Sequence, residues 1–170
     1  TGATFDHEIQ ETCKIMENHQ DFHLLHSITI YPTPLKIANL NRINYLKSLH
    51  KNVGLSDHSD PEKTGLKLCF SAINIVASVI EKHFTILPKD KTKDGAVSVN
   101  PKQLKELVDF TNLSSTDQKK YISKNIKEYQ ELLGSEQREL SSEELLNRDY
   151  YRGRFASKNN KGQVIYNWEE

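Results

Sequence analysis

The sequence is poor in cysteine, with two, and carries no net charge, its 23 basic and 23 acidic residues cancelling. Cys13 and Cys69 each fall on the apolar face of an expected helix and read as buried thiols in a reducing cytoplasm rather than a disulfide framework. The charge balance leaves no electrostatic footprint for a nucleic acid or an anionic membrane surface. No apolar run reaches the length of a membrane span, and no signal-peptide pattern is present, so a cytoplasmic location is expected. Internal repeats and low-complexity segments are also missing. So is an initial methionine: Thr1-Gly2-Ala3 opens the chain, and the expectation is a processed piece or part of a longer protein. The 170 residues are enough for one domain with a substantial core.

What is present centres on Val53 to Thr85. Val53–Leu55 leads into Ser56-Asp57-His58, and Val79-Ile80 leads into Glu81-Lys82-His83-Phe84-Thr85. Between these runs, Leu66, Cys69, Phe70, Ile73 and Ala77 recur at helical spacing, and Pro61 stands early, as a first-turn residue should. A strand, a helix of roughly four turns and a second strand form a βαβ unit, whose crossover makes the strands parallel neighbours. Both histidines then lie at the same end of adjacent strands, where two imidazoles could hold a metal.

Around this unit the chain reads as follows. Thr1-Gly2 is a loop after an earlier strand, and Phe5, Ile9, Cys13 and Met16 mark a helix with Asp6 and Glu8 in its first turn. Phe22–Ile30 is a strand whose near-continuous apolar character suits cover on both faces. Tyr31-Pro32-Thr33-Pro34 ends it. Leu40, Ile43, Leu46 and Leu49 predict a helix capped by Asn39, and Leu87–Val99 a long polar loop. Asn100-Pro101 opens a helix carried by Leu104, Leu107 and Val108. Ser115 with Gln118 forms a capping box for a helix through Tyr121, Ile122, Ile126, Tyr129 and Leu133, stopped by Gly134. Ser141 with Glu144 repeats the signal for a shorter helix. Lys119-Lys120 and Glu143-Glu144 read as solvated helix faces. The tail, Arg152–Glu170, alternates weakly around Phe155, Val164, Ile165 and Tyr166 and suggests a hairpin.

Three consecutive βα units in a small parallel sheet leave two open edges, which isolated proteins avoid. The economical architecture is α/β: a partial (β/α)8 TIM barrel, its last three βα units, over residues 1–112. C-terminal helices over 113–150 and a tail over 151–170 follow it. Catalytic groups of such a barrel gather at the carboxyl ends of its strands, where Thr29, Tyr31, Ser56, His58, Glu81 and His83 fall. Asp57 has two readings, orienting an imidazole or capping the next helix. Lys82 alternates away toward the surrounding helices or an ion pair, His26 reads as a hydrogen-bonded core residue, and His7, His19, His23 and His50 as surface or loop residues.

At these positions the chain resembles the sialic acid synthase family, the phosphoenolpyruvate-dependent synthases of nine-carbon sugar acids. The residues that carry the resemblance are LLHSITIYPTP (Leu24–Pro34), GLSDHS (Gly54–Ser59), VIEKHFT (Val79–Thr85) and SVNP (Ser98–Pro101), four motifs in family order and spacing. The resemblance covers the second half of the family's barrel. It implies that His58 and His83 bind a divalent metal, Mn²⁺ or Mg²⁺, and that Ser56 contacts the phosphoenolpyruvate phosphate. It further implies that Glu81 holds an N-acylated amino-sugar of the N-acetylmannosamine kind, with Tyr31 lining that pocket. Thr29 stands near phosphoenolpyruvate where the family often has asparagine or serine, and Asp94 contacts the sugar.

Two departures stand out. The family's G-P-D-H is here Thr92-Lys93-Asp94-Gly95, pointing to a different sugar, and Val76 replaces the glycine that ordinarily ends the helix before VIEKHFT. The phosphate-binding lysine of the family lies on earlier strands, and the tail resembles at most the entry to an antifreeze-like domain. A metal-dependent synthase, acting as a homodimer and inactive as this stretch alone, is the leading expectation. A non-catalytic partial-barrel module and another metal-dependent barrel aldolase or hydrolase are its rivals.

Overall fold

The expected central strand is enclosed along its whole length: every residue of β2, Val53–Asp57, is buried. The computed structural model describes residues 1–19, 21–150, 156–158 and 160–166. In it, β1 (Leu24–Ser27) and β3 (Ile80–Lys82) flank β2, both parallel to it, in the order β1-β2-β3. The register pairs Ser27 with Ser56 and Ser56 with Glu81. The result is an α/β fold with a parallel sheet, in which β1 is shorter than the apolar stretch Phe22–Ile30 that predicted it, while β2 runs on past Leu55 to Asp57. Pairing continues past β3 through a parallel bridge between Phe84 and Val99, so the end of the expected 87–99 loop is tied to the sheet.

Helices α1 (Asp6–Ile15) and α2 (Arg42–Leu49) precede β1 and β2. The segment between β2 and β3 is not one helix but two, α3 (Pro61–Thr64) and α4 (Lys67–Asn74). Gly65 separates them at φ 63°, a backbone setting that ends α3. Leu24, Val53 and Leu55 join Ile43, Leu46, Cys69 and Phe70 in one apolar cluster. Three C-terminal helices feed the same cluster: α5 (Pro101–Thr111), α6 (Ser115–Asn125) and α7 (Tyr129–Leu133), through Phe110, Ile122 and Leu132. An aromatic triangle fastens them, with Phe70 stacked on Phe110 at 4.3 Å and Tyr121 edge-on to both.

Several local readings need correction. Asn39 is not a cap but a left-handed residue (φ 46°) whose side-chain oxygen accepts from the Ser135 amide. The cap of α6 is Ser114, which accepts from the Asp117 amide, one residue before the expected Ser115–Gln118 box. The predicted helix through Leu133 breaks at Ile126 and resumes as α7, which Gly134 ends. Asn100 caps α5 as expected, with Gln103 completing a box that was not foreseen, and the Ser141–Glu144 box forms, opening α8 (Ser142–Tyr150). Glu144 is no solvated residue: it is 1% exposed and takes two bonds from the Arg138 guanidinium, at 2.6 and 2.7 Å. Cys13 is only half-buried, whereas Cys69 is fully buried; both are free thiols.

Helix α8 returns to the start of the chain. Asn147 donates to the Thr29 carbonyl, and Arg148 donates to the Ala3 carbonyl and pairs with Glu8. In the tail, β4 (Ala156–Lys158) and β5 (Val164–Tyr166) form the antiparallel hairpin suggested by alternation; Phe155 lies outside the described residues. Among the described residues, no helix is long and apolar enough to cross a membrane.

Two measurements follow from this frame. Val76 ends the α4 segment at φ 65° while 64% exposed, so its β-branched side chain meets the left-handed penalty with little burial in return. Val76→Gly is expected to raise stability by about 1 kcal/mol in urea unfolding, after the extra backbone entropy of glycine is set against the relieved strain. His26 is buried with Nε2 donating to the Ala38 carbonyl at 2.7 Å, and burial pushes its pKa down to about 4 from 6.5. Because the unfolded imidazole takes up its proton at the higher pH, stability is present above the unfolded pKa and lost as pH falls toward the folded one. The loss from His26 is about 2 kcal/mol between about pH 7 and about pH 5, and His26→Gln is expected to remove that share of the slope.

Candidate functional site

Three rows of side chains cross from β2 to β3 at the carboxyl end of the sheet. In the first, the Ser56 hydroxyl donates to Glu81 Oε1 at 2.6 Å. In the second, Lys82 Nζ lies 3.0 Å from Asp57 Oδ2. In the third, just past the paired residues, the rings of His58 and His83 stand with centroids 5.3 Å apart. Side chains alternate along a strand, so the first and third rows share one face and the ion pair takes the other.

That shared face opens into a hollow of about 460 Å³, lined by Thr29, Tyr31, Ser56, His58, Glu81 and His83, with Gly2 and Ser27 beside them. Six of the seven residues singled out in the sequence therefore meet in one place. Tyr31 is half-exposed and lays its ring flat on His58, centroids 3.8 Å apart and planes within 15°. Thr29 Oγ1 is buried and, among the described residues, has no hydrogen-bond partner, a donor and acceptor left for something else. Asp94 does not line the hollow; its carboxylate stands at the rim, 3.9 Å from His83 Nδ1.

Burial, and next the nearby His83 ring, push the His58 pKa down to about 4. The imidazole is therefore neutral at neutral pH, the state in which its nitrogens have lone pairs to offer. Ser27 Oγ lies 3.4 Å from His58 Nδ1. His58 and His83 are the side chains that could hold a divalent ion here. Among the described residues, no group of three His, Cys, Asp or Glu residues stands ready to hold one.

Behind the histidines, neither reading of Asp57 holds. Among the described residues it touches no imidazole nitrogen and caps no helix; Asp60 caps α3, accepting from the Glu62 and Lys63 amides. Asp57, 1% exposed, instead accepts from the Ser59 amide (2.7 Å), the Ser59 hydroxyl (3.1 Å) and the Cys69 thiol (3.1 Å). Lys82 completes this cluster as the expected ion pair, donating also to the Ser59 carbonyl at 2.6 Å. His26 is the expected core histidine, while His50 is more engaged than a surface residue, its ring 3.8 Å from that of Phe22.

Sequence reasoning missed Ser27 and Asp60. Ser27 was legible from alternation, since Leu25, Ser27 and Thr29 share a face of β1 and its extension, but the apolar neighbours hid the pattern. Gly54 of the GLSDHS motif has a steric cause: a Cβ there would press on the Val79 carbonyl and lie 2.9 Å from Leu25 Cδ2.

Comparison with known proteins agrees with these elements. The family model described as the NeuB family matches residues 1–123. The spore coat polysaccharide biosynthesis protein SpsE of Bacillus subtilis is 32% identical over 155 residues, 89% of this chain and 40% of that protein. The N,N'-diacetyllegionaminic acid synthase of Campylobacter jejuni is 37% identical over 112 residues, 63% of this chain and 32% of that one. The crystal structure of the Bacillus subtilis protein superposes with a TM-score of 0.72 at 27% identity, covering 94% of this chain and 43% of its own. The chain thus spans less than half the length of these relatives. The match runs through all three sheet strands, both histidines and the loop of Asp94, and the chain belongs to the NeuB family, the sialic acid synthase family that its motifs resemble.

Proposed function

We propose that this chain carries the metal-binding half of a synthase that condenses phosphoenolpyruvate with an N-acylated amino-sugar. The products are a sialic acid-type nonulosonic acid and phosphate. The observation that supports this most is the pair of rows on one face, Ser56 bonded to Glu81 and His58 beside His83, opening on one hollow. In this reading the three parallel strands are the last three of a (β/α)8 barrel whose remaining strands supply further phosphate ligands, and the enzyme is a cytoplasmic homodimer.

The donor set fits a divalent cation such as Mn²⁺. Two imidazoles 5.3 Å apart, one kept neutral by burial, converge beside a rim carboxylate and leave positions for substrate oxygen. A bound ion would supply Lewis-acid polarisation of the sugar's aldehyde oxygen. The chain's own residues do the rest of the positioning. Tyr31 holds the His58 plane by stacking. Glu81, oriented by the Ser56 hydroxyl, accepts from sugar hydroxyls, while that hydroxyl and the unpartnered Thr29 Oγ1 are placed to meet phosphoenolpyruvate. The C3 carbon of phosphoenolpyruvate bonds to the aldehyde carbon, water adds at C2, and the tetrahedral intermediate expels phosphate. Orientation within one hollow accounts for much of the rate.

The test is phosphate release from phosphoenolpyruvate by the intact protein, with Mn²⁺ and a panel of N-acylated amino-sugars. Turnover that needs both substrates is expected; none with any member of the panel sinks the reading. Glu81→Gln is expected to lower kcat/KM for the sugar by about 100-fold, the loss of a charge-assisted contact. Separately, His83→Ala should weaken Mn²⁺ binding by about 100-fold in calorimetry while the far-UV spectrum stays unchanged. Equal Mn²⁺ affinity in that variant would remove the histidine pair from the metal site.

A further inference from the structure

One lysine pins the loop between β3 and α5. Lys89 Nζ lies 3.0 Å from Asp60 Oδ1 and 2.9 Å from Glu62 Oε2. Asp60 is itself fixed, being buried and the cap of α3, two residues after His58. The backbone of Lys89 is held as firmly as its head. Gly95 lies directly against it, and a Cβ there would sit 2.7 Å from both Cα and the carbonyl carbon of Lys89, so only glycine fits without moving the turn. From Gly95 the bonds run on: its amide donates to the Thr92 carbonyl, and the Val97 amide and Ser98 hydroxyl donate to the Asp94 carbonyl. Asp94 faces His83 at 3.9 Å. A continuous set of contacts thus runs from the segment just after His58, through Asp60, Lys89 and Gly95, to Asp94 and back to His83.

The neighbouring lysine does none of this. Among the described residues, Lys91 pairs with the adjacent Asp90 alone, at 3.5 Å, with both side chains largely exposed.

We propose that Lys89 is a positioning residue for the acceptor substrate. By fastening the 86–97 loop to the start of α3 it sets where the Asp94 carboxylate stands beside His83, and so which polyhydroxylated acceptor the rim accepts a hydrogen bond from. The identity of the acceptor rests on the synthase reading above; the pinning of the loop does not. Lys89 touches no reacting atom, and its effect falls on the sugar rather than on phosphoenolpyruvate.

The experiment compares Lys89→Met, Lys89→Arg and, as a control, Lys91→Met in the intact protein. Hydrogen exchange at the amides of Thr92, Gly95 and Val97 is expected to quicken about tenfold in Lys89→Met and to stay near the parent rate in the other two. In steady-state kinetics, Lys89→Met is expected to raise KM for the amino-sugar about tenfold while KM for phosphoenolpyruvate moves less than about twofold, and Lys89→Arg to restore most of the difference. Unchanged exchange in Lys89→Met, an equal rise in both KM values, or the same effect from Lys91→Met overturns the proposal. Absence of turnover in the parent with every sugar refutes the synthase reading and the acceptor role with it, and exchange then decides the pinning on its own.

Discussion

The geometry of the site depends on a buried ion pair that is not in the site. Lys82 and Asp57, with side chains 3% and 0% exposed, meet across β2 and β3 on the helix-facing side. Burying two charges is costly unless each is fully bonded, and here the carboxylate has four donors and the ammonium a second acceptor in Ser59. Because each member is followed by a histidine, fixing this row fixes the next. A slip of one residue in β3 would place Lys82 in the hollow and turn His83 toward the apolar helices. The pair therefore acts as a register lock, and its cost in desolvation is balanced by specificity of pairing.

A second constraint comes from the far end of the described chain. The guanidinium of Arg148 and the amide of Asn147 reach the Ala3 and Thr29 carbonyls, the two backbone stretches that border the hollow on the β1 side. Glu144 and Arg138 anchor the start of that same helix. Of the segments after residue 112, α8 is thus engaged with the site's margin, while α6, α7 and the turn between them share the sheet's apolar cluster through Ile122, Ile126 and Leu132.

Much of this was legible in the sequence. The strands, their parallel order and the meeting of Thr29, Tyr31, Ser56, His58, Glu81 and His83 followed from three apolar stretches and the helical spacing that separates them. The alternation rule also separated Lys82 from its neighbours. What was not legible depended on partners that no helical or strand periodicity pairs. Glu144 looks like any helix-surface glutamate until Arg138 folds over it, and Asp57 looks like a cap because two of its partners, Cys69 and Lys82, are on other elements. The break at Gly65 was hidden because Leu66, Cys69 and Phe70 keep helical spacing after it. Likewise Lys89 lies in a run of charges whose pattern says only that the segment is wet.

The thiol of Cys69 gives the register lock an outward signal. It is fully enclosed, donates to Asp57, and burial together with that carboxylate raises its pKa well above that of an ordinary cysteine. Only an exposed thiolate attacks an alkylating reagent, so Cys69 stays silent until the layer between sheet and helices comes apart, whereas half-buried Cys13 answers to smaller openings. The two sulfurs make a paired clock, one timing breathing at the periphery and the other the moment the strands lose their alignment.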